Sequence, residues 1–281
     1  MSRLAGLLAL AAALLISEPA AAEVHRGIVY GHGKVAAGQA PLRLDLYQPA
    51  APAAVPRPVV VLVHGGGFAH RTRTDAGIVR VARGLAAQGI AAASIDYRLA
   101  GAAPRPSQRV APLLRGLPRS PIRRAVVAAV DDTLTAIGFL RRNAGRFGLD
   151  PARVGLVGAS AGAMTAAHVA YVLDDYGIAR PPLRFVGELW GGILIGKPAQ
   201  LAPGDAPLFA VHGTGDRAVA VSFSDALVRR ANEVGVAAEY VRVPGGGHGF
   251  RASGFFTWQG ADGLTPYTRL VRFARSALQS G

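Results

Sequence analysis

Residues 154–162 read Val154-Gly155-Leu156-Val157-Gly158-Ala159-Ser160-Ala161-Gly162. The first four are a short apolar run with the character of a buried strand, and the residues after the serine open a helical pattern over 161–173. Between the two stands Gly-x-Ser-x-Gly. So tight a strand-to-helix turn needs tiny neighbours, and a glycine two positions to either side of Ser160 supplies them. The turn leaves the Ser160 hydroxyl exposed above the sheet at a helix N-terminus, where partial positive charge favours a developing oxyanion. Alone the pattern is weak, because a chain with 36 glycines in 281 residues meets it by chance. A simple glycine-rich turn is the plain alternative.

The strand–helix alternation continues in both directions. Residues 59–63, Val-Val-Val-Leu-Val, form a continuous run that suits a strand covered on both faces, whereas 42–47 alternate apolar and polar residues like a strand with one solvated face. Similar strands are expected at 90–95, 183–189, 208–211 and 238–243, and helices near 76–88, 124–142, 222–233 and 267–279. The implied class is α/β, with a mostly parallel central sheet and helices on both faces. No internal repeat or domain boundary interrupts 23–281, so a single domain is expected there. Residues 100–121 stand apart, with five prolines, four arginines and no sustained periodicity. A structureless insert of that length is usually functional or mobile, and a lid is one reading of it.

Composition narrows the classes. Apolar residues make up 51% of the chain and charged residues 17%, which excludes a disordered protein. The absence of cysteine excludes a disulfide scaffold, a thiolate metal site and a cysteine nucleophile. The net charge of +14 is almost all arginine, since Lys34 and Lys197 are the only lysines. Those arginines are scattered and no aromatic–basic module accompanies them, so a nucleic-acid partner is not expected. At the amino terminus Arg3 precedes an apolar run over 4–16, and Ala20-Ala21-Ala22 follows Pro19. At about 1.5 Å per residue the run reaches roughly 20 Å, short of a hydrocarbon core of about 30 Å. Residues 1–22 therefore read as a cleaved signal peptide and not a stable membrane anchor, with a periplasmic or secreted product.

Three further loops follow strands. His64-Gly65-Gly66-Gly67-Phe68 comes directly after 59–63, where glycines let backbone N–H groups approach a carbonyl oxygen. His212-Gly213-Thr214-Gly215-Asp216 follows 208–211, and Gly245-Gly246-Gly247-His248-Gly249-Phe250 follows 238–243. Serine, acid and histidine thus arrive in that order, each just past the carboxyl end of a strand, the edge where open α/β sheets build their sites. The chain resembles the α/β-hydrolases, specifically the carboxylesterase branch of hormone-sensitive lipase and the BD-FAE-like esterases. Asp96-Tyr97-Arg98-Leu99 and the segment from Asp132 to Pro151 are also similar to that group. Two departures stand out: the basic insert after Asp-Tyr-Arg-Leu, and Ala163 where many relatives carry a third glycine.

Residue chemistry assigns the roles. Ser160 is the candidate nucleophile, His248 its general base and Asp216 the carboxylate that orients the imidazole. The sequence leaves open which glycine N–H groups bind the oxyanion; the resemblance implies Gly66 and Gly67, with Ala161. As rival acids, Glu188 stands near the end of a strand and Asp205 in a loop before one. His64 and His212 read as bracing their loops and His168 as packed, while His25, His32 and His70 offer no ligand spacing. No metal or other cofactor is expected. Asp131 and Asp132 are adjacent on a predicted helix and diverge, unlike a glycosidase pair, and Asp132 is expected to brace Arg98 or a neighbouring loop. Phe68 and Trp190 are candidate acyl-pocket walls, with core packing the alternative. Arg71, Arg73 and the arginines of the insert would favour an anionic substrate if the insert folded over the site. The leader pattern implies export and the resemblance implies an esterase, acting on a small or oligomeric ester; an amidase or peptidase of the same fold, or a binding protein on a degenerate fold, are the alternatives. The oligomeric state is not readable.

Overall fold

The computed structural model describes residues 22–50, 53–115, 120–196, 200–250 and 253–279. Eight strands form one sheet: β1 (Glu23–Val35), β2 (Gly38–Gln48), β3 (Arg57–Val63), β4 (Ala91–Ile95), β5 (Leu149–Ala159), β6 (Phe185–Leu189), β7 (Leu208–Gly213) and β8 (Ala238–Val243). Their spatial order is β1-β2-β4-β3-β5-β6-β7-β8. The six strands from β4 to β8 run parallel, and β1 and β2 pair antiparallel at one edge.

The central strands are buried along their length because helices cover both faces. The helices α2 (Pro121–Arg142), α4 (Ala161–Tyr171) and α5 (Ser222–Glu233) contribute to one apolar cluster. On the opposite face lie α1 (Ala76–Ala86) and α7 (Pro266–Gln279), joined by the short α6 (Gly254–Thr257). A single turn, α3 (Ala144–Phe147), leads into β5. Local chemistry sets several helix starts. Asp75 caps α1 by accepting from the Gly77 N–H, and Ser120 caps α2 by accepting from Arg123, with Pro121 at the first helical position. No side chain caps α4, whose start is the turn at Ser160.

β1 lies where no strand is expected from the sequence. Its pairing with β2 shifts register between His25 and Ile28 and again between Val29 and Gly31, and two such irregularities break the period-two pattern by which a strand is recognised.

The insert also differs from the expectation of a structureless lid. Residues 100–102 and 108–114 form 3₁₀ turns, and Val110 and Leu113 are buried. Arg98, itself buried, reaches Asp132 at 2.7 Å and Asp131 at 3.0 Å on α2, and donates to the carbonyls of Lys34 and Arg105. Arg109 adds a 2.7 Å bond to Asp131. The two carboxylates do not diverge, because one guanidinium spans both. They clamp the insert against α2 and β1, and residues 100–115 line no part of the cavity described below. Residues 116–119 of the insert, Lys197 and residues 1–21 of the expected leader lie outside the described residues. Among those described, no helix is long and apolar enough to cross a membrane.

Candidate active site

Ser160 stands between β5 and α4 with φ 54° and ψ −118°, a backbone conformation that L-residues with side chains rarely adopt. The two flanking glycines explain how it is held. A Cβ on Gly158 would lie 2.0 Å from the Gly162 carbonyl oxygen, and one on Gly162 would lie 2.1 Å from that of Val63 at the end of β3. Strand, turn and helix therefore approach as closely as backbone allows. Ala163 is tolerated because its neighbour Gly191 has no Cβ, which would otherwise lie 2.6 Å from the Ala163 methyl.

The three residues expected to act together meet at this turn. His248 Nε2 lies 2.9 Å from Ser160 Oγ, and His248 Nδ1 lies 2.7 Å from Asp216 Oδ2. Asp216 Oδ1 accepts from the N–H groups of Ala218 and Val219. Burial opposes charge on Asp216, but the Val219 N–H, the His248 imidazole and the Ala218 N–H outweigh it and hold the carboxyl below its ordinary range. The acid stays ionised and fixes Nδ1–H on His248, which leaves Nε2 to accept the serine proton.

The loop after β3 faces the same hydroxyl. Gly66 takes φ 108°, and a Cβ there would lie 2.1 Å from the His70 carbonyl oxygen, so only glycine fits. Among the described residues neither Gly66 nor Gly67 donates its N–H to a protein acceptor. Ala161 is the first residue of α4, where a helix N–H has no acceptor one turn back. The loop is braced from behind. The His64 ring stacks on Tyr97 with centroids 4.3 Å apart, and the Tyr97 hydroxyl donates toward the carbonyls of His64 and Gly65. Arg73 binds Asp45 on β2 at 2.8 Å and Asp96 at 2.6 Å. Thus Asp96-Tyr97-Arg98 anchors three different segments, roles for Asp96 and Tyr97 that sequence reading does not assign.

A cavity of about 610 Å³ opens over Ser160 and His248. Its apolar walls include Ile78 and Val81 from α1, Met164 from α4, Trp190 after β6, and Phe255 and Phe256 from α6. Trp190 meets Phe250 and Phe255 edge-on at 5.3 and 5.4 Å, and Arg80 stacks on Phe256 at 4.0 Å. Phe68 and Arg71 also line the cavity. Among the described residues six non-glycine residues have positive φ, and Phe68, Arg71, Ser160 and Trp190 are four of them. Such strain gathers where a site over-determines the backbone. Among the described residues Arg71 is the arginine of the lining, and Asp75 pairs with it at 2.9 Å.

The rival residues lie elsewhere. Asp205 pairs with Arg180, and Glu188, within β6, is buried against Ser224. His168 is buried, bonds the Met164 carbonyl and accepts from the Ile195 N–H, and burial lowers its pKa to about 4. His64 bonds the Gly65 carbonyl, and burial lowers its pKa too. Among the described residues no three His, Asp or Glu side chains cluster to hold a metal ion.

Residues 44–110 and 119–180 match the BD-FAE family model. The propionate-bound esterase 2 of Thermogutta terrifontis superposes with a TM-score of 0.65 at 23% identity, over 93% of this chain and 94% of that one. The chain has the α/β-hydrolase fold. Two curated proteins of Mycobacterium tuberculosis resemble this chain in sequence. Carboxylesterase NlhH is 34% identical over 128 residues, which are 46% of this chain and 33% of the relative. Esterase LipC is 28% identical over 237 residues, 69% of this chain and 53% of the relative. The chain thus spans a third to about half of the length of these relatives.

Proposed function

We propose that this α/β-hydrolase is an exported carboxylesterase that cleaves small, uncharged esters through an acyl-enzyme on Ser160. One observation carries the reading: the unbroken contact from Ser160 Oγ to His248 Nε2, and from His248 Nδ1 to Asp216, at the floor of the apolar cavity. In the first step the Ser160 oxygen attacks the ester carbonyl while His248 takes its proton. The negative charge then moves to the carbonyl oxygen, where the N–H groups of Gly66, Gly67 and Ala161 receive it; one such donor is worth roughly 3 kcal/mol. Protonated His248, stabilised by Asp216, gives the proton to the departing alcohol. Water then repeats the sequence on the acyl-enzyme, with His248 as base, and restores Ser160.

The two relatives named as carboxylesterase and esterase support the class of bond. The propionate- and butyrate-bound forms of the Thermogutta enzyme support short acyl groups. The pairing of Arg71 with Asp75 favours a neutral ester. Export rests on the Arg3, 4–16 and Ala20-Ala21-Ala22 pattern, which makes the working protein begin at Glu23 in a periplasm or medium.

The test is a panel of p-nitrophenyl esters of increasing acyl length beside the matching p-nitroanilides. Turnover is expected for the short esters and lost in Ser160→Ala. Equal turnover by Ser160→Ala would overturn the reading, and faster cleavage of the anilides would move it to an amidase.

A further inference from the structure

Behind the catalytic acid lies a second chain of polar groups, wholly enclosed. Glu188 on β6, His212 on β7 and Ser224 on α5 are each 0% exposed. Ser224 Oγ lies 2.8 Å from Glu188 Oε2 and 2.7 Å from His212 Nδ1. Glu188 Oε1 accepts from the Gly191 N–H, beside Trp190 of the cavity wall. At the far end His212 Nε2 faces the Val219 carbonyl oxygen at 3.0 Å and Asp216 Oδ2 at 3.3 Å.

Proton counting fixes the state of this chain. Both partners of His212 Nε2 are acceptors, so that nitrogen carries a hydrogen. Ser224 owns one hydroxyl proton yet makes two contacts at hydrogen-bond distance, so one neighbour must donate to it. Either Glu188 is a neutral acid that donates to Ser224, which donates to a neutral imidazole, or Glu188 is ionised and His212 is an imidazolium. The two forms hold the same number of protons and differ by a shift along the chain. An ionised Glu188 beside a neutral His212 is the form that does not fit, because two lone pairs would then compete for one proton in a site closed to bulk solvent.

We propose that Glu188, Ser224 and His212 share one buried proton and act as positioning residues for Asp216, an inference that rests on the hydrolase reading above. The connection to the acid is direct. His212 Nε2–H touches the carboxylate oxygen that His248 uses, and it also holds the carbonyl of Val219, whose own N–H binds the other carboxylate oxygen. The turn from 216 to 219 is thus gripped by one ring; once the shared proton is lost, the remaining imidazole hydrogen can move to Nδ1 to satisfy Ser224, and Nε2 then faces Val219 and Asp216 as a lone pair, which opens the grip.

The surroundings agree with the neutral form. Burial drives the Glu188 carboxyl up to about 7 and the His212 imidazole down from its ordinary value. The other titratable groups that feel Glu188 are Tyr171 from α4 and Tyr240 from β8, both pushed up by burial and so uncharged. Asp225 on α5 takes the Tyr240 hydroxyl, and Asp205 lies beside Tyr171 and is paired with Arg180. Among the described residues no arginine or lysine pairs with Glu188.

The test compares wild type, Glu188→Gln and Ser224→Ala as full chains, measuring kcat, KM and melting temperature from about pH 5.5 to 9.5 with p-nitrophenyl butyrate. Glutamine reproduces the neutral acid, donating to Ser224 and accepting from Gly191, but has no proton to lose. Glu188→Gln is expected to keep kcat within about threefold of wild type near pH 6.5 and to lack the alkaline decline that wild type shows. Its melting-temperature gap from wild type should widen as pH rises. Ser224→Ala should lower kcat about tenfold with KM within about twofold. Superimposable profiles of wild type and Glu188→Gln, a Glu188→Gln as impaired as Ser224→Ala, or an undiminished Ser224→Ala would each overturn the proposal. If no ester is turned over at all, the hydrolase reading fails on its own, and the melting-temperature gap against pH still decides whether the proton is shared.

Discussion

Adding one methyl group at Gly162 tests how closely the elbow and the glycine loop after β3, the proposed oxyanion loop, depend on each other. In Gly162→Ala the new Cβ would sit 2.1 Å from the Val63 carbonyl oxygen, 2.6 Å from its carbon and 2.7 Å from the His64 carbonyl oxygen. All three are backbone atoms, and neither partner can turn away as a side chain would. The gap must open by about 0.9 Å to reach the 3.0 Å below which real Cβ contacts essentially never fall. That displacement separates the start of α4, which carries Ser160 and Ala161, from the end of β3, which carries Gly65, Gly66 and Gly67. A misplacement of about 1 Å at a reacting centre costs on the order of 100-fold in rate, or about 2.7 kcal/mol. Overpacking of this kind also destabilises by about 1–3 kcal/mol. The assay pairs kcat on p-nitrophenyl butyrate with urea unfolding of the same preparation. A folded protein with kcat reduced about 100-fold is expected; kcat within threefold of wild type would refute the argument that nucleophile and oxyanion loop are held by backbone contact.

Other consequences are equally specific. Asp132→Ala leaves the buried Arg98 without its main partner, so stability by chemical denaturation should fall by about 3–5 kcal/mol, and a loss below about 1 kcal/mol would contradict the clamp. Asp216→Asn keeps the shape of the side chain but removes the charge that fixes His248, so kcat should drop by about 10³–10⁴ with the melting temperature little changed. Glu188 supplies a stability signature with a definite sign. Its folded-state pKa of about 7 lies above the ordinary 4.5, so the folded protein holds a proton that the unfolded chain releases. Stability relative to Glu188→Gln should fall as pH rises from about 4.5 and level off above about 7, by roughly 3 kcal/mol in all. The lowered pKa of His212 gives an opposite slope below its ordinary range, and comparing the two proteins largely removes it.

The parts of this molecule legible in its sequence are those where one local rule decides. The uninterrupted run Val59–Val63 reads as a covered strand, and Gly158, Ser160 and Gly162 announce a turn that no larger residue permits. The distances among Ser160, His248 and Asp216 follow from three loops leaving one sheet edge. What escaped reading depends on long-range pairing. β1 lost its alternation to two bulges, and it is recognisable only from its partner strand. The insert looks unstructured because proline removes its periodicity, yet Arg98 and Arg109 fasten it to carboxylates 34 and 22 residues away. Glu188 stands near a strand end, where it resembles a catalytic acid. Only the fold shows that its carboxyl turns toward Ser224 and reaches Asp216 through His212.

The central claim is that His248 makes the Ser160 oxygen a nucleophile. Intact-protein mass spectrometry after exposure to a fluorophosphonate, followed by peptide mapping, reads this directly. A single adduct on Ser160 is expected, with its formation slowed at least about 1000-fold in His248→Ala. An adduct on another residue, or labelling of Ser160 at an undiminished rate without the imidazole, would contradict it.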